Sequence, residues 1–205
     1  MLASEALDRL RSGNRRFASD ERSAVVDTGH ARRDELTAGQ KPFAIILGCS
    51  DSRVPAEFVF DQGLGDLFVI RVAGNVVAPS QIGSVEFAVE QFGTRLVVVL
   101  GHSRCGAILA TLAELERPEA SRSPNLRSIV DRVRPSVEPL LQAGATGLSE
   151  GLIREAVRAN IRASVDNLRH GSALLDQLID GEDLRIVGAE YSLETGVVEF
   201  FDDRS

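Results

Sequence analysis

Tryptophan is absent from the 205 residues, methionine and tyrosine occur once each, and Lys41 is the only lysine. Arginine supplies the other positive charges, and this bias carries no functional reading. No run approaches the ~20 apolar residues of a membrane span, which excludes a spanning helix. No basic cluster stands apart from acidic neighbours, and the formal net charge is −7. That balance argues against a nucleic-acid partner. The start, Met1 to Arg9, is amphipathic and charged rather than a secretory signal. There is no internal repeat and no low-complexity tract. A chain of this length, 43% hydrophobic, reads as a single domain with a sizeable core: a helical arm over about 1–39, then an α/β core over about 40–205.

Only two cysteines are present, and their placement is informative. Cys49 follows the apolar run 43–47, and Cys105 follows the run 96–100 by a few residues. Runs of that length, rich in Ile and Val, read as buried strands of a parallel sheet. Gly48 and Gly101 are expected to let the chain turn sharply after them. Cys49 and His102 then emerge at the carboxyl ends of two strands, the edge where open α/β sheets bind ligands. Two thiols and an imidazole suit zinc, and three protein ligands leave a fourth position open, as a catalytic zinc requires. His102 and Cys105 stand three apart, which fits ligands on the turn entering a helix. The plainer alternatives are two core cysteines with a satisfied histidine, or a Cys49–Cys105 disulfide. Two cysteines used as thiolates suit a reducing cytoplasm.

The segments Cys49-Ser50-Asp51-Ser52-Arg53-Val54-Pro55, Arg71-Val72-Ala73-Gly74-Asn75 and Gly101-His102-Ser103-Arg104-Cys105-Gly106-Ala107 together resemble the β-class carbonic anhydrases. They occur in that family's order and at its spacing, and the likeness runs from about the first helix to the final hairpin. The resemblance implies zinc on Cys49, His102 and Cys105. It implies reversible hydration of carbon dioxide to bicarbonate through a zinc-bound hydroxide. It also implies a homodimer or homotetramer with carbon dioxide and bicarbonate as the small-molecule partners. Gln40 matches a glutamine that donates to bound substrate, and Phe68 and Val72 match apolar wall positions. In the family the glutamine and phenylalanine come from the neighbouring subunit. The sequence departs from some bacterial members, which carry a regulatory tryptophan three residues before the first cysteine. Ile46 stands there, so regulation of that kind is not expected, although Arg71 matches another part of that site.

Two thiolates cancel the formal charge of zinc and leave it a weaker activator of water than a zinc on three neutral histidines. Help is therefore needed nearby. Asp51 is two residues from Cys49 and is placed to accept a hydrogen bond from the nucleophile. Arg53 is placed to hold Asp51 by a bidentate pair and keep it ionised. Without Arg53 the carboxylate becomes a conditional fourth ligand. A surface Asp–Arg pair capping the next helix is the simpler possibility. Rival chemistries fit less well. A cysteine phosphatase needs five residues between cysteine and arginine, and Cys49 and Arg53 have three. A Cys–His thiol hydrolase, a carbonyl sulfide or carbon disulfide hydrolase on the same ligands, and a non-catalytic zinc module remain as alternatives.

The expected fold is α/β: a mainly parallel sheet, flanked by helices, with an antiparallel edge hairpin. Strands are expected at 43–47, 66–72, 95–100, 184–190 and 197–201, the last two joined through Glu194-Thr195-Gly196. Helices are expected at 4–18, 30–38, 54–61, 79–92, 105–116, 149–169 and 172–180. Ser80 is read as the cap of the 79–92 helix and Gly93 as its stop. Another helix, 125–141, is expected to be interrupted at Pro135 and Pro139. Residues 117–124 are expected to form a polar loop, and 144–147 a turn. The first helix carries Ala6, Leu7, Leu10 and Phe17 on one side, to dock on the core or on another subunit.

Overall fold

The computed structural model describes residues 1–21, 29–116, 123–142, 148–181 and 183–201. The expected turn at 144–147, and the expected loop except for its last two residues, lie outside them.

Five strands form one sheet in the order β2-β1-β3-β4-β5: β1 (Ala44–Gly48), β2 (Leu67–Arg71), β3 (Leu96–His102), β4 (Arg185–Tyr191) and β5 (Val198–Phe201). The first four pair in parallel, and β5 runs antiparallel on β4. The Ile/Val runs are continuous, rather than alternating with polar residues, because both faces are covered. Ile45, Leu47, Val97 and Val99 face one core with Ile161, Val165 and Leu168 of α7 (Glu150–His170). Ala44, Ile46, Val98 and Leu100 face the other, with Leu7 and Leu10 of α1 (Ala3–Ala18).

The amphipathic α1 thus docks on its own chain. Leu10 is fully buried. Asn14 links three segments: its Nδ2 donates to the carbonyls of Val59 and Gly196, at 3.1 and 2.9 Å, and its Oδ1 accepts the Val198 amide at 2.8 Å. Arg9 and Arg16 reach back to Asp66 (2.9 Å) and Asp61 (2.6 Å). Of the two docking alternatives for the first helix, its own core is the one the chain takes. The next helix, α2 (His30–Leu36), is short and buries no residue.

Three local expectations need correction. The helix α4 (Pro79–Phe92) is preceded by Ala78 in extended conformation, with Pro79 in its first turn, so Ser80 is not its cap. Ser80 Oγ bonds Gln81 Oε1 instead. Gly93 does end this helix, at φ 65°. The helix α6 (Pro124–Gln142) continues through Pro135 and Pro139. Both rings lie on its exposed side, while Val130, Val133 and Val137 face the core. The carbonyls that each proline deprives of a donor therefore face water, which limits the cost of keeping the helix. Finally, Gly48 and Gly101 lie within strand ends rather than turns. Gly101 is needed for close packing, since a Cβ there would stand 2.6 Å from Ile161 of α7. The remaining helices are α3 (Ala56–Val59), shorter than expected, α5 (Gly106–Glu116) and α8 (Ala173–Asp180).

Candidate metal centre

Cys49 leaves the carboxyl end of β1, and His102 is the last residue of β3, the strand beside it. Cys105 directly precedes α5. All three are buried, and their ligand atoms lie within 4.8 Å of one another. Both cysteines are free, with 3.9 Å between the sulfurs, so the disulfide alternative does not hold.

The imidazole is oriented by its own neighbour. Nδ1 of His102 lies 2.9 Å from the Ser103 carbonyl. A carbonyl only accepts, so Nδ1 carries the proton and Nε2 presents a lone pair. That Nε2 is buried and has no hydrogen-bond partner. A buried acceptor left unpaired costs free energy. Facing two thiols, it completes a sulfur, nitrogen and sulfur donor set, and the residues present fit a zinc. Ser103 is itself held: its amide donates to the Tyr191 carbonyl at 2.9 Å, and its hydroxyl to Glu194 Oε2 at 2.8 Å. Arg104 takes φ 54° between His102 and Cys105 and pairs with Glu194 Oε1 at 3.0 Å.

The two thiols are electrostatically unequal. A hydrogen bond from Cys105 brings Cys49 down to about 4 against its burial, helped by His102 and by the amides of Asp51 and Gly74. Cys105 is pushed up, by that same bond to Cys49, by burial, and by the charge of Cys49. The amides of Ile108 and Ala107, at the start of α5, act in the opposite sense on Cys105 and favour its thiolate.

Asp51 and Arg53 form the expected pair. Asp51 Oδ1 accepts from the Arg53 amide (3.0 Å) and Nε (2.9 Å), and Oδ2 from Nη2 at 2.7 Å. This guanidinium holds the carboxyl well below the usual carboxylate range. Oδ2 also stands 3.8 Å from His102 Nε2, so Asp51 sits at the ligand cluster rather than merely at a helix end. Arg71 clamps the same loop, donating to the carbonyls of Cys49 at 3.1 Å and Asp51 at 2.6 Å.

Val72 is close by, its amide and carbonyl bonded to Gly48 and Ser50. Gln40 and Phe68 are not brought to this cluster. Gln40 is exposed, on the chain entering the amino end of β1. Phe68 pairs with Ile45, four residues before Cys49, which is about 13 Å along a strand. Sequence reading missed the roles of the Ser103 carbonyl, Glu194 and the Gly74 amide. The Gly74-Asn75 pair after β2 was the one signal pointing to the last of these. The other two histidines are exposed and paired elsewhere, His30 with Asp34 and His170 with Asp176.

Comparison with known proteins places the chain in a family. The family model described as carbonic anhydrase matches residues 44–198. A carbonic anhydrase of Mycolicibacterium smegmatis is 41% identical over 190 residues, covering 93% of this chain and 89% of that protein. Carbonic anhydrase 2 of Mycobacterium tuberculosis is 42% identical over 190 residues, with 91% and 87% covered. Among solved structures, the β-carbonic anhydrase CcaA superposes with a TM-score of 0.73 at 28% identity, covering 97% of this chain and 88% of its own. The chain belongs to the carbonic anhydrase family, in its β class, a family of lyases. Among the described residues, no helix is long and apolar enough to cross a membrane.

Proposed function

We propose that the chain hydrates carbon dioxide reversibly to bicarbonate and a proton, at a zinc ion held by Cys49 Sγ, His102 Nε2 and Cys105 Sγ. The observation that carries this reading is the buried, unpartnered Nε2 facing two thiols, in a chain of the carbonic anhydrase family. Zinc bound there supplies a Lewis acid that lowers the pKa of water and makes it nucleophilic near neutrality. The residues around it do the rest. Asp51, kept ionised by Arg53, accepts a hydrogen bond from the attacking water and aims its lone pair at the carbon. Arg53 also restrains that carboxylate from becoming a fourth ligand. Val72 forms part of the apolar wall.

Gln40 and Phe68 serve the pocket of a second copy. In the described structure β2 is an edge strand with no neighbour on its outer side. Two identical edges joined by a two-fold axis pair antiparallel. That arrangement sets the amino half of one β2, which carries Phe68, beside the carboxyl end of the other, which leads to Val72. Exposed Phe87, in ring contact with Phe68 and Phe92, gives the same side an apolar surface. The working unit is therefore a homodimer, or a tetramer built from such dimers, and two free thiols suit the cytoplasm.

Stopped-flow hydration of carbon dioxide, run beside hydrolysis of carbonyl sulfide and carbon disulfide on protein of known metal content, tests this. Zinc-dependent turnover of carbon dioxide is expected. Turnover of the sulfur gases alone overturns the substrate, and zinc without any turnover marks a non-catalytic module.

A further inference from the structure

The Cys49 sulfur receives an amide hydrogen bond from Gly74, at 3.4 Å. That amide is aimed by an unusual turn. Gly74 takes φ 70° and ψ 18°, and Asn75 follows at φ 44°. Two successive left-handed residues, one of them not glycine, persist only where surroundings over-determine them. A Cβ on Gly74 would meet the Ala107 Cβ at 3.0 Å, so the turn is also wedged against the start of α5.

What holds it comes from α7. Asn160 Nδ2 donates to the Gly74 carbonyl at 2.8 Å, and Ser164 Oγ to the Asn75 carbonyl at 3.0 Å. Both side chains are buried. They stand four apart, hence one above the other on one helix face, and they take consecutive carbonyls of the turn. Buried carbonyls need partners, and inside this bend the backbone supplies none to these two. The pair therefore fixes the two peptide planes that follow Gly74 and, through the left-handed φ and ψ of Gly74 that join them to the preceding plane, the direction of the N–H that points at Cys49.

We propose that Asn160 and Ser164 are positioning residues for the metal-binding sulfur of Cys49: they hold the Gly74–Asn75 turn so that its amide bonds that sulfur and sets how strongly it donates to the metal. The inference rests on the zinc reading above. Hydrogen bonds to a ligating group orient it and tune its donor strength, and their removal costs about 10- to 100-fold in metal affinity or activity.

The test uses Co2+ as a spectroscopic probe and chelator competition for affinity. Asn160→Ala should move the thiolate-to-cobalt charge-transfer band to longer wavelength and weaken zinc binding about 10- to 100-fold. Ser164→Ala should move both in the same direction by less, and it serves alone if Asn160→Ala does not fold. Leu168→Ala, on the same helix and fully buried, should lower the melting temperature and leave band and affinity in place. Wild-type band and affinity in folded Asn160→Ala, or in Ser164→Ala where that variant serves alone, or equal shifts in Leu168→Ala, overturn the inference. A wild-type chain that takes up neither metal overturns the zinc reading and this inference with it.

Discussion

Replacing Arg53 by alanine should close the metal site rather than empty it. The Arg53 side chain provides two of the three hydrogen bonds that it gives Asp51, including the 2.7 Å bond to Oδ2; the backbone amide keeps the third, on Oδ1. The variant therefore frees Oδ2 while the carboxylate stays in place. A nitrogen and an oxygen bound tetrahedrally to one zinc stand about 3.4 Å apart. Oδ2 is already 3.8 Å from His102 Nε2, so a shift of about half an ångström brings it to that separation from the imidazole. Without the guanidinium the carboxyl group returns toward its ordinary pKa of about 4, so it is still anionic at pH 7 and still a competent ligand. Arg53→Ala should then keep full zinc and lose activity at neutral pH by about 10- to 100-fold. Asp51→Ala should also keep zinc and lose activity, with the fourth position open and the water poorly aimed. Azide or thiocyanate titration separates the two, binding Asp51→Ala readily and Arg53→Ala weakly. A crystal structure of Arg53→Ala with water on zinc and Asp51 turned away would refute the gate.

Asn14→Ala strips two buried backbone groups and one half-buried carbonyl of their partner and should cost about 2–4 kcal/mol in urea unfolding; an unchanged midpoint would mean that α1 is not held through it. With Cys49 ionised near neutrality and Cys105 pushed up, zinc uptake should release one thiol proton, from Cys105. Affinity should then rise about tenfold per pH unit through neutrality, and titration calorimetry in buffers of different ionisation heat checks the count; release of two thiol protons would contradict it. Gln40→Ala and Phe68→Ala should lower carbon dioxide turnover while each chain keeps its zinc. Rescue in mixed dimers with a zinc-free variant that retains Gln40 and Phe68 identifies the partner pocket, and no rescue argues against it.

The sheet was legible because strands buried on both faces must be apolar throughout, and the Ile/Val runs allow nothing else. Boundaries moved by a residue or two. The misreadings share a cause: local propensity was overruled by what lies on the far side of the element. Pro135 and Pro139 survive in α6 because their face is solvent, and Gly101 answers to Ile161 rather than to a turn. The ligand cluster was legible because its members follow two strands. The groups that aim it were not, since Asn160 reaches Gly74 across 86 residues of sequence and Ser103 acts through its backbone carbonyl. Gln40 and Phe68 were named only by resemblance, and within one chain nothing brings them to the cysteines.

Zinc content tests the central claim most directly. Elemental analysis of the wild type, Cys49→Ser and His102→Ala, each shown folded by circular dichroism, should find one zinc per chain in the first. Zinc and carbon dioxide hydration should be lost together in the other two. Full zinc in either variant would contradict the assignment of the ligands.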